Sequence, residues 1–150
     1  MALASDDPKI RQIGENSHGV VFLGVPHRGS SIAKLSQQAS VLWPTVEVKD
    51  LEENAPELLK LNEKFLENIM HMKTPMEVVS IVEGTSTRIF QNLKLHVVPI
   101  SSAYLGYGDF FISQENHLNL SKPLSQNSFL YLTVVNLIEK ILKQQIKAHE

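Results

Sequence analysis

Two residues whose types suit acid–base chemistry follow apolar runs that are typical of buried strands. Glu83 comes directly after the run at residues 76–82, and His117 comes after the run at residues 93–100 and a long loop. Because the carboxyl ends of parallel strands meet at one edge of a sheet, we expect these side chains to lie close together. A carboxylate can hold an imidazole in the tautomer that takes a proton from a nucleophile. Each residue alone is more typical of an ordinary surface position, so their joint placement is what favours catalysis.

A nucleophile for such a pair is missing from the expected place. A serine elbow has the pattern G-x-S-x-G directly at the end of a strand, and the chain contains no such pentapeptide. The nearest imitation is Ser31, which follows the strand predicted at residues 19–25 but is separated from it by Pro26, His27 and Arg28. We interpret Ser31 as a decoy, since a serine here is more typical of a helix N-cap. His27 is likewise more typical of a hydrogen-bonding loop residue than of a base.

Composition excludes several other classes of function. The chain has 150 residues and a net charge of -2 with both signs interspersed, so no nucleic-acid partner is indicated. It has no cysteine, and its six histidines lack metal-ligand spacing, so the sequence predicts no metal site. No phosphate-binding glycine motif occurs, and no cofactor is predicted. Neither a targeting peptide nor a transmembrane segment, which needs roughly 20 apolar residues, is predicted.

The remaining pattern predicts an α/β fold. We expect a polar lead-in without a helix at residues 1–18, a strand at 19–25, a short helix through residue 39, and a loop or short strand at 41–50. A helix at 56–72, a strand at 76–82, a polar loop at 84–92, a third strand at 93–100 and a closing helix at 128–148 follow. Right-handed crossovers between such elements give about three parallel strands with flanking helices.

Several segments, taken in order, match the pattern of one known family. Residues 25–30 read V-P-H-R-G-S where the family has T-P-H-H-G-S, and Val82 and Glu83 match its F-V-E-T acid strand. Residues 95–99, 102–109 and 116–123 match its final strand, its loop and its N-H-L-N-x-x-K-P segment. From residue 19 onward the chain thus resembles the lipase-like α/β-hydrolases of the serine-active-site-containing protein type. The resemblance implies the C-terminal part of a hydrolase domain whose nucleophile strand is absent, and we interpret residues 40–75 as a helical insertion or cap-like segment.

The resemblance also implies roles for residues and a function. The implied roles are general base for His117, acid for Glu83 with Asp109 as the alternative acid, and a rim loop for Pro26, His27, Gly29 and Ser30. The implied activity is that of a serine esterase, lipase or acyltransferase in phospholipid remodelling, on phosphatidylglycerol, with consequences for cholesterol trafficking. The implied location is at contacts between mitochondria and endoplasmic reticulum. A phospholipid substrate and the missing N-terminal half of the domain are the implied partners, and the chain alone is expected to be inactive.

The absence of a neighbour for the first strand has a physical consequence. An apolar edge strand exposes unpaired amide and carbonyl groups, which favours association. We therefore expect the chain alone to be marginally stable. The alternative function is a non-catalytic, hydrolase-like module that docks on a partner through this strand.

Overall fold

Helices and strands alternate along most of the chain. The computed structural model describes residues 5–29, 56–72, 74–90 and 93–148. Its elements, in chain order, are α1 (Pro8–Glu15), β1 (Gly19–Leu23), α2 (Pro56–Met70), β2 (Glu77–Glu83), β3 (Thr87–Phe90), β4 (Leu93–Leu95), α3 (Ile100–Ala103), β5 (Asp109–Ser113) and α4 (Phe129–Ala148). The helix predicted through residue 39 and the loop or strand predicted at 41–50 lie outside the described residues.

Three of the strands form one parallel sheet in the order β1-β2-β5. In its register Val21 lies opposite Val79, and Glu83 at the end of β2 lies opposite Ser113 at the end of β5. The central strand β2 is buried along six of its seven residues, which explains its unbroken apolar sequence. The prediction of an α/β fold with about three parallel strands is therefore confirmed.

Helices cover both faces of this sheet. The side chains of β1 point alternately to opposite sides, so its apolar residues contact a helix on each face. Phe22 of β1 packs with Phe65 and Ile69 of α2 on one face. Leu23 packs with Leu137 of α4 on the other face. The long apolar periods that predicted α2 and α4 thus correspond to helices that contact the sheet. The interpretation of residues 40–75 as an insertion or cap-like segment stays a prediction.

The prediction of a third parallel strand at residues 93–100 is wrong. Residues Leu93–Leu95 pair antiparallel with Thr87–Phe90 in a small hairpin, so the predicted polar loop at 84–92 is also wrong. Val97 and Val98 are buried without belonging to a strand, and a short apolar run cannot distinguish a buried loop from a strand. The third parallel strand is β5, in a segment that the sequence analysis treated as loop.

The amino-terminal segment contains a helix that the sequence analysis did not predict. In α1, the Asp7 side chain accepts a hydrogen bond from the Lys9 amide at 2.8 Å, and Pro8 occupies the first turn. A capping aspartate followed by proline is a strong local start signal. The prediction looked for a long apolar period, and a helix of only eight residues is too short to show one. For this helix, the sequence offered the capping signal instead.

Candidate active site

The carboxyl end of β2 carries a fully buried carboxylate. Glu83 is the last residue of β2, and its side chain is 0% exposed. One carboxylate oxygen, Oε1, accepts a hydrogen bond from the backbone N–H of Val98 at 2.6 Å. A buried charge requires such partners because ionised groups are strongly disfavoured away from water. Glu83 is therefore not the ordinary surface residue that its type alone would favour.

The pKa of the Glu83 carboxyl results from opposing effects. Burial raises the pKa because it disfavours the charged form. Hydrogen bonds from His117, from the Val98 amide and from the backbone of Glu83 itself, with the attraction of the imidazole, outweigh burial and hold the pKa below its ordinary value of 4.5. Glu83 is therefore ionised at neutral pH, and an ionised carboxylate is the form that can orient an imidazole.

The second carboxylate oxygen of Glu83 lies against the imidazole of His117. Glu83 Oε2 and His117 Nδ1 are 3.3 Å apart, and the His117 side chain is 19% exposed. An ionised carboxylate only accepts hydrogen bonds, so Nδ1 is the donor and carries the proton. In a neutral ring this makes Nε2 the basic nitrogen. The structure thus brings together the two residues that the sequence analysis paired, and their catalytic role stays a prediction.

The end of β1 also reaches this pair, through a glycine. Gly24 follows β1 with a φ of 58°, a conformation that residues with a side chain rarely adopt. A Cβ at this position would lie 2.9 Å from both Cε1 and Nδ1 of His117. Its amide donates to the carbonyl of Ile81 at 2.8 Å, which holds the turn against β2. The carboxyl ends of β1 and β2 therefore both lie close to the imidazole.

The predicted rim loop turns tightly just after this glycine. The Gly29 amide donates to the Pro26 carbonyl at 3.1 Å, and Gly29 has a φ of 84°. The buried Ser102 hydroxyl of α3 accepts from the Arg28 amide at 3.2 Å and donates to the Gly29 carbonyl. The loop is thus tied to α3, and Ser30 and Ser31 lie outside the described residues.

His27 of the rim loop faces apolar surroundings. Its ring meets the ring of Phe22 edge-on, with centroids 4.7 Å apart. Burial lowers the pKa of His27 to about 4, so its imidazole is neutral at pH 7. Within the described residues its Nε2 is buried without a hydrogen-bond partner. The ring borders an apolar cavity of about 310 Å³ between β1 and α2, lined by Val20, Phe22, Val25, Pro26, Leu58, Leu61, Asn62, Phe65 and Leu105.

Asp109, the alternative acid, lies at the other end of the sheet. It opens β5 opposite Val79, whereas Ser113 closes β5 opposite Glu83. The two ends of β5 are four residue steps apart, which is about 13 Å along the strand. Asp109 is exposed, and its charge attracts Lys140. The geometry therefore favours Glu83 over Asp109 as the partner of His117.

Sequence reasoning missed four residues that shape this site. Gly24 carried a usable signal, since a glycine between apolar strand residues marks a close approach. Thr87 begins the alternating T-R-I-F run, and that alternation, followed by the L-K-L run, could have indicated a hairpin. Val98 contributes only its backbone amide, and Ser102 acts across a long sequence separation, so neither had a local signal.

Among the residues that the structure describes, no three His, Cys, Asp or Glu side chains cluster closely enough to hold a metal ion. Within the same ranges, no helix combines the length and the apolar character needed to cross a bilayer.

Comparison with known proteins relates this site to a segment of longer proteins. No protein-family model matches the chain, and no solved structure matches it. Over 145 residues, 96% of this chain, it is 38% identical to a protein from Bos taurus and 37% identical to one from Homo sapiens. Both are named Protein SERAC1. The chain is similar to Protein SERAC1.

The match covers nearly all of this chain but only a small part of its relatives. The relative from Danio rerio, also named Protein SERAC1, is 38% identical over 140 residues, which is 93% of this chain. The match therefore includes nearly all of this chain. The chain spans only 22% of the length of the bovine and human Protein SERAC1 and 21% of that from Danio rerio. The match therefore does not show that this chain has the activity of the whole Protein SERAC1.

Proposed function

We propose that this chain supplies the acid–base half of an α/β-hydrolase active site. In this proposal Glu83 orients His117, and Nε2 of His117 takes the proton of a serine hydroxyl. That serine belongs to a G-x-S-x-G elbow on a segment outside this sequence. The same imidazole then donates the proton to the leaving group.

One observation carries the proposal: an ionised and fully buried carboxylate lies 3.3 Å from an imidazole at the carboxyl edge of a parallel sheet. Ligand and catalytic sites of open α/β sheets lie at this edge. The hydrogen bond fixes the tautomer that makes Nε2 basic. The distance of 3.3 Å is long for a strong bond, and catalytic hydrogen bonds commonly shorten only when the substrate is bound.

The family resemblance extends the proposal to a substrate and a setting. We infer that the complete protein is a serine esterase, lipase or acyltransferase that remodels phospholipid, with phosphatidylglycerol as substrate. Its effects reach cholesterol trafficking, and it works where mitochondria meet the endoplasmic reticulum. This chain alone lacks the elbow and is inactive in this proposal.

A chimera tests the acid–base role directly. In human Protein SERAC1, the matching segment of 145 residues is replaced by this chain, and the protein is treated with a fluorophosphonate that labels activated serines. We expect labelling of one serine outside this chain. His117→Ala should slow labelling by about 100,000-fold or more, and Glu83→Gln by about 10,000-fold.

Glu77→Gln is the matched control, because Glu77 lies on the same strand but at its opposite end. It should leave the labelling rate unchanged. A chimera that is not labelled at all contradicts the hydrolase proposal. Labelling of Ser30 or Ser31 in the isolated chain, abolished by His117→Ala, would instead place the nucleophile within this sequence.

A second candidate function is supported by the position of β1. In the described part of the sheet, β1 is an edge strand, with β2 on one side only. An edge strand can accept a strand from a partner. The alternative is therefore a non-catalytic module that docks by β1 on the part of a longer protein that lies outside the match.

Pull-down with the remainder of human Protein SERAC1 tests this second function. Val21→Lys places a charge on β1 and should reduce capture by about 10-fold or more. Ile13→Lys is the control, since Ile13 lies on α1 and is 65% exposed. Equal capture of the unmodified chain and the Val21→Lys variant would contradict docking through β1.

A further inference from the structure

The hairpin of β3 and β4 and the residues that follow it make two hydrogen bonds to the Glu83–His117 pair. At one end of the hairpin, the Thr87 hydroxyl accepts a hydrogen bond from the backbone N–H of His117 at 3.0 Å. At the same end, Val98 lies three residues beyond the last residue of β4 and donates its backbone N–H to Glu83. Thr87 lies opposite Leu95 in the hairpin, so the two contacts belong to one paired unit.

Thr87 is well placed to hold the loop that carries His117. Its side chain is 1% exposed, so water does not compete for its hydroxyl. The same loop is also bound by the Ser113 hydroxyl, which accepts from the Glu115 amide at 3.1 Å, and by the Thr85 amide, which donates to the Glu115 carbonyl at 3.4 Å. Of these contacts, only the one from Thr87 reaches His117 itself.

We propose that Thr87 is a positioning residue for His117. Its buried hydroxyl fixes the His117 backbone and thereby sets the distance between the imidazole and the Glu83 carboxylate. The proposal rests on the proposed function, because the position of the imidazole matters only if His117 transfers a proton. The hairpin thereby holds acid and base at one separation. A displacement of about 1 Å in such a pair can slow a reaction by about 100-fold.

The competing interpretation is that Thr87 only satisfies a buried amide, as any hydrogen bond in a folded interior does. The two interpretations differ in what happens to the ring. If Thr87 positions His117, removing the hydroxyl disturbs the imidazole. If Thr87 only contributes to stability, removing it weakens the whole domain and leaves the imidazole of the folded molecules as it was.

Nuclear magnetic resonance on the ¹⁵N-labelled chain separates these interpretations. Thr87→Val removes the hydroxyl and keeps the branched shape, while Thr87→Ser keeps the hydroxyl. Thr133→Val is the matched control, since the Thr133 hydroxyl donates to the Phe129 carbonyl within α4 at 2.8 Å, far along the chain from the hairpin. The two readouts are the exchange rate of the His117 amide and the ¹⁵N shifts of its ring.

For Thr87→Val we expect the His117 amide to exchange about 10-fold faster or more, relative to the amides of β2. The ring shifts should move from the Nδ1–H pattern towards a mixture of tautomers. Thr87→Ser should restore both readouts, and Thr133→Val should change neither. In the chimera, Thr87→Val should slow fluorophosphonate labelling by about 10-fold or more, with recovery in Thr87→Ser.

The proposal is overturned if Thr87→Val leaves the exchange rate and the ring shifts of His117 unchanged. If Thr87→Val does not fold, the unmodified chain decides: a His117 amide that exchanges as fast as in an unstructured peptide also overturns it. If Thr87→Val alters the ring shifts in the ¹⁵N-labelled chain while the chimera is never labelled by the fluorophosphonate, positioning by Thr87 is supported and the proposed function is contradicted. Labelling that depends on His117 but not on Thr87 does the reverse.

Discussion

Strand β2 carries a glutamate at each end, and the two side chains differ in burial and in their partners. At the amino end, Glu77 binds the Lys140 ammonium at 2.7 Å and the Gln144 amide at 2.6 Å. Its side chain is 17% exposed, and that of Lys140 is 52% exposed. At the carboxyl end, Glu83 is fully buried against an imidazole and a backbone amide.

This difference shows what each end is suited to do. A partly exposed carboxylate paired with an exposed lysine attaches α4 to the sheet, and losing the pair costs little because water can reach both groups. A fully buried carboxylate paired with histidine is costly to disturb, since the carboxylate has no access to water. The amino end therefore serves attachment, and the carboxyl end is the one whose chemistry could be used.

The largest expected effect is the loss of the carboxylate at the buried end. Glu83→Ala leaves the Val98 amide without an acceptor and His117 without a partner, so we expect the free energy of unfolding to fall by about 3 to 4 kcal/mol. Urea denaturation at pH 7 measures it. Glu83→Gln keeps the shape and an oxygen for the Val98 amide, and should cost about half as much. A loss below about 1 kcal/mol for the alanine variant would mean that the pair is not held as described.

The next largest effect compares a glycine at each end of β1. Gly24→Ala combines a φ of 58° with a Cβ that would meet the His117 ring, and it should cost about 3 kcal/mol and shift the ring resonances. Gly19→Ala is the control, since its Cβ would chiefly meet Cδ1 of Ile141, the movable end of a side chain. Thermal unfolding and ring ¹⁵N shifts check both. Equal costs for the two variants would show that the carboxyl edge is no more tightly packed than the amino edge.

Stability should also fall with acid because of a residue at the carboxyl edge. His27 has a pKa of about 4 in the folded chain and 6.5 when unfolded, so the unfolded chain binds the proton first as the pH falls. The stability contributed by neutral His27 is complete above pH 6.5 and is lost towards pH 4. Between pH 7 and pH 5 we expect this loss to be about 1 kcal/mol once solvent screening of the partly buried ring is allowed for, and urea denaturation at the two pH values measures it.

His27→Phe should remove the part of the pH dependence between pH 7 and pH 5 that His27 contributes, because phenylalanine does not titrate. Glu77 and Glu83 both have lowered pKa values, so their contributions are present above their ordinary value of 4.5 and are lost only below it. The two pH windows therefore separate His27 from the glutamates. A His27→Phe variant that keeps the whole dependence would assign it to another group.

The order of the chain made part of this site predictable. The strand before Glu83 and the helices α2 and α4 are long, periodic segments, and their positions follow from burial alone. The pairing of Glu83 with His117 followed from the rule that parallel strands end at one edge. The prediction paired two residues that the structure brings together although it placed the third strand at residues 93–100, because β5 ends on the same edge.

The parts that could not be predicted depend on contacts between distant segments. Strand β5 has only five residues and several exposed positions, so its pattern differs little from that of a loop. The Thr87–His117 hydrogen bond joins residues that no local period relates. Glu83 is buried where it accepts a hydrogen bond from the amide of the distant Val98, which is a property of the tertiary structure rather than of the glutamate.

The smallest expected effect lies at the amino end of β2, where the glutamate is partly exposed. Glu77→Gln removes the ion pair with Lys140 but keeps a side chain that can hydrogen-bond, so the unfolding free energy should fall by only about 0.5 to 1 kcal/mol at low salt. Because the pair is screened by ions, the difference should vanish in about 1 M sodium chloride, whereas the effect of Glu83→Ala should persist there. Urea denaturation at the two salt concentrations measures both variants. A salt-insensitive loss at Glu77 as large as that at Glu83 would mean that burial does not separate the two ends, and the carboxyl end would then lose its special claim to chemistry.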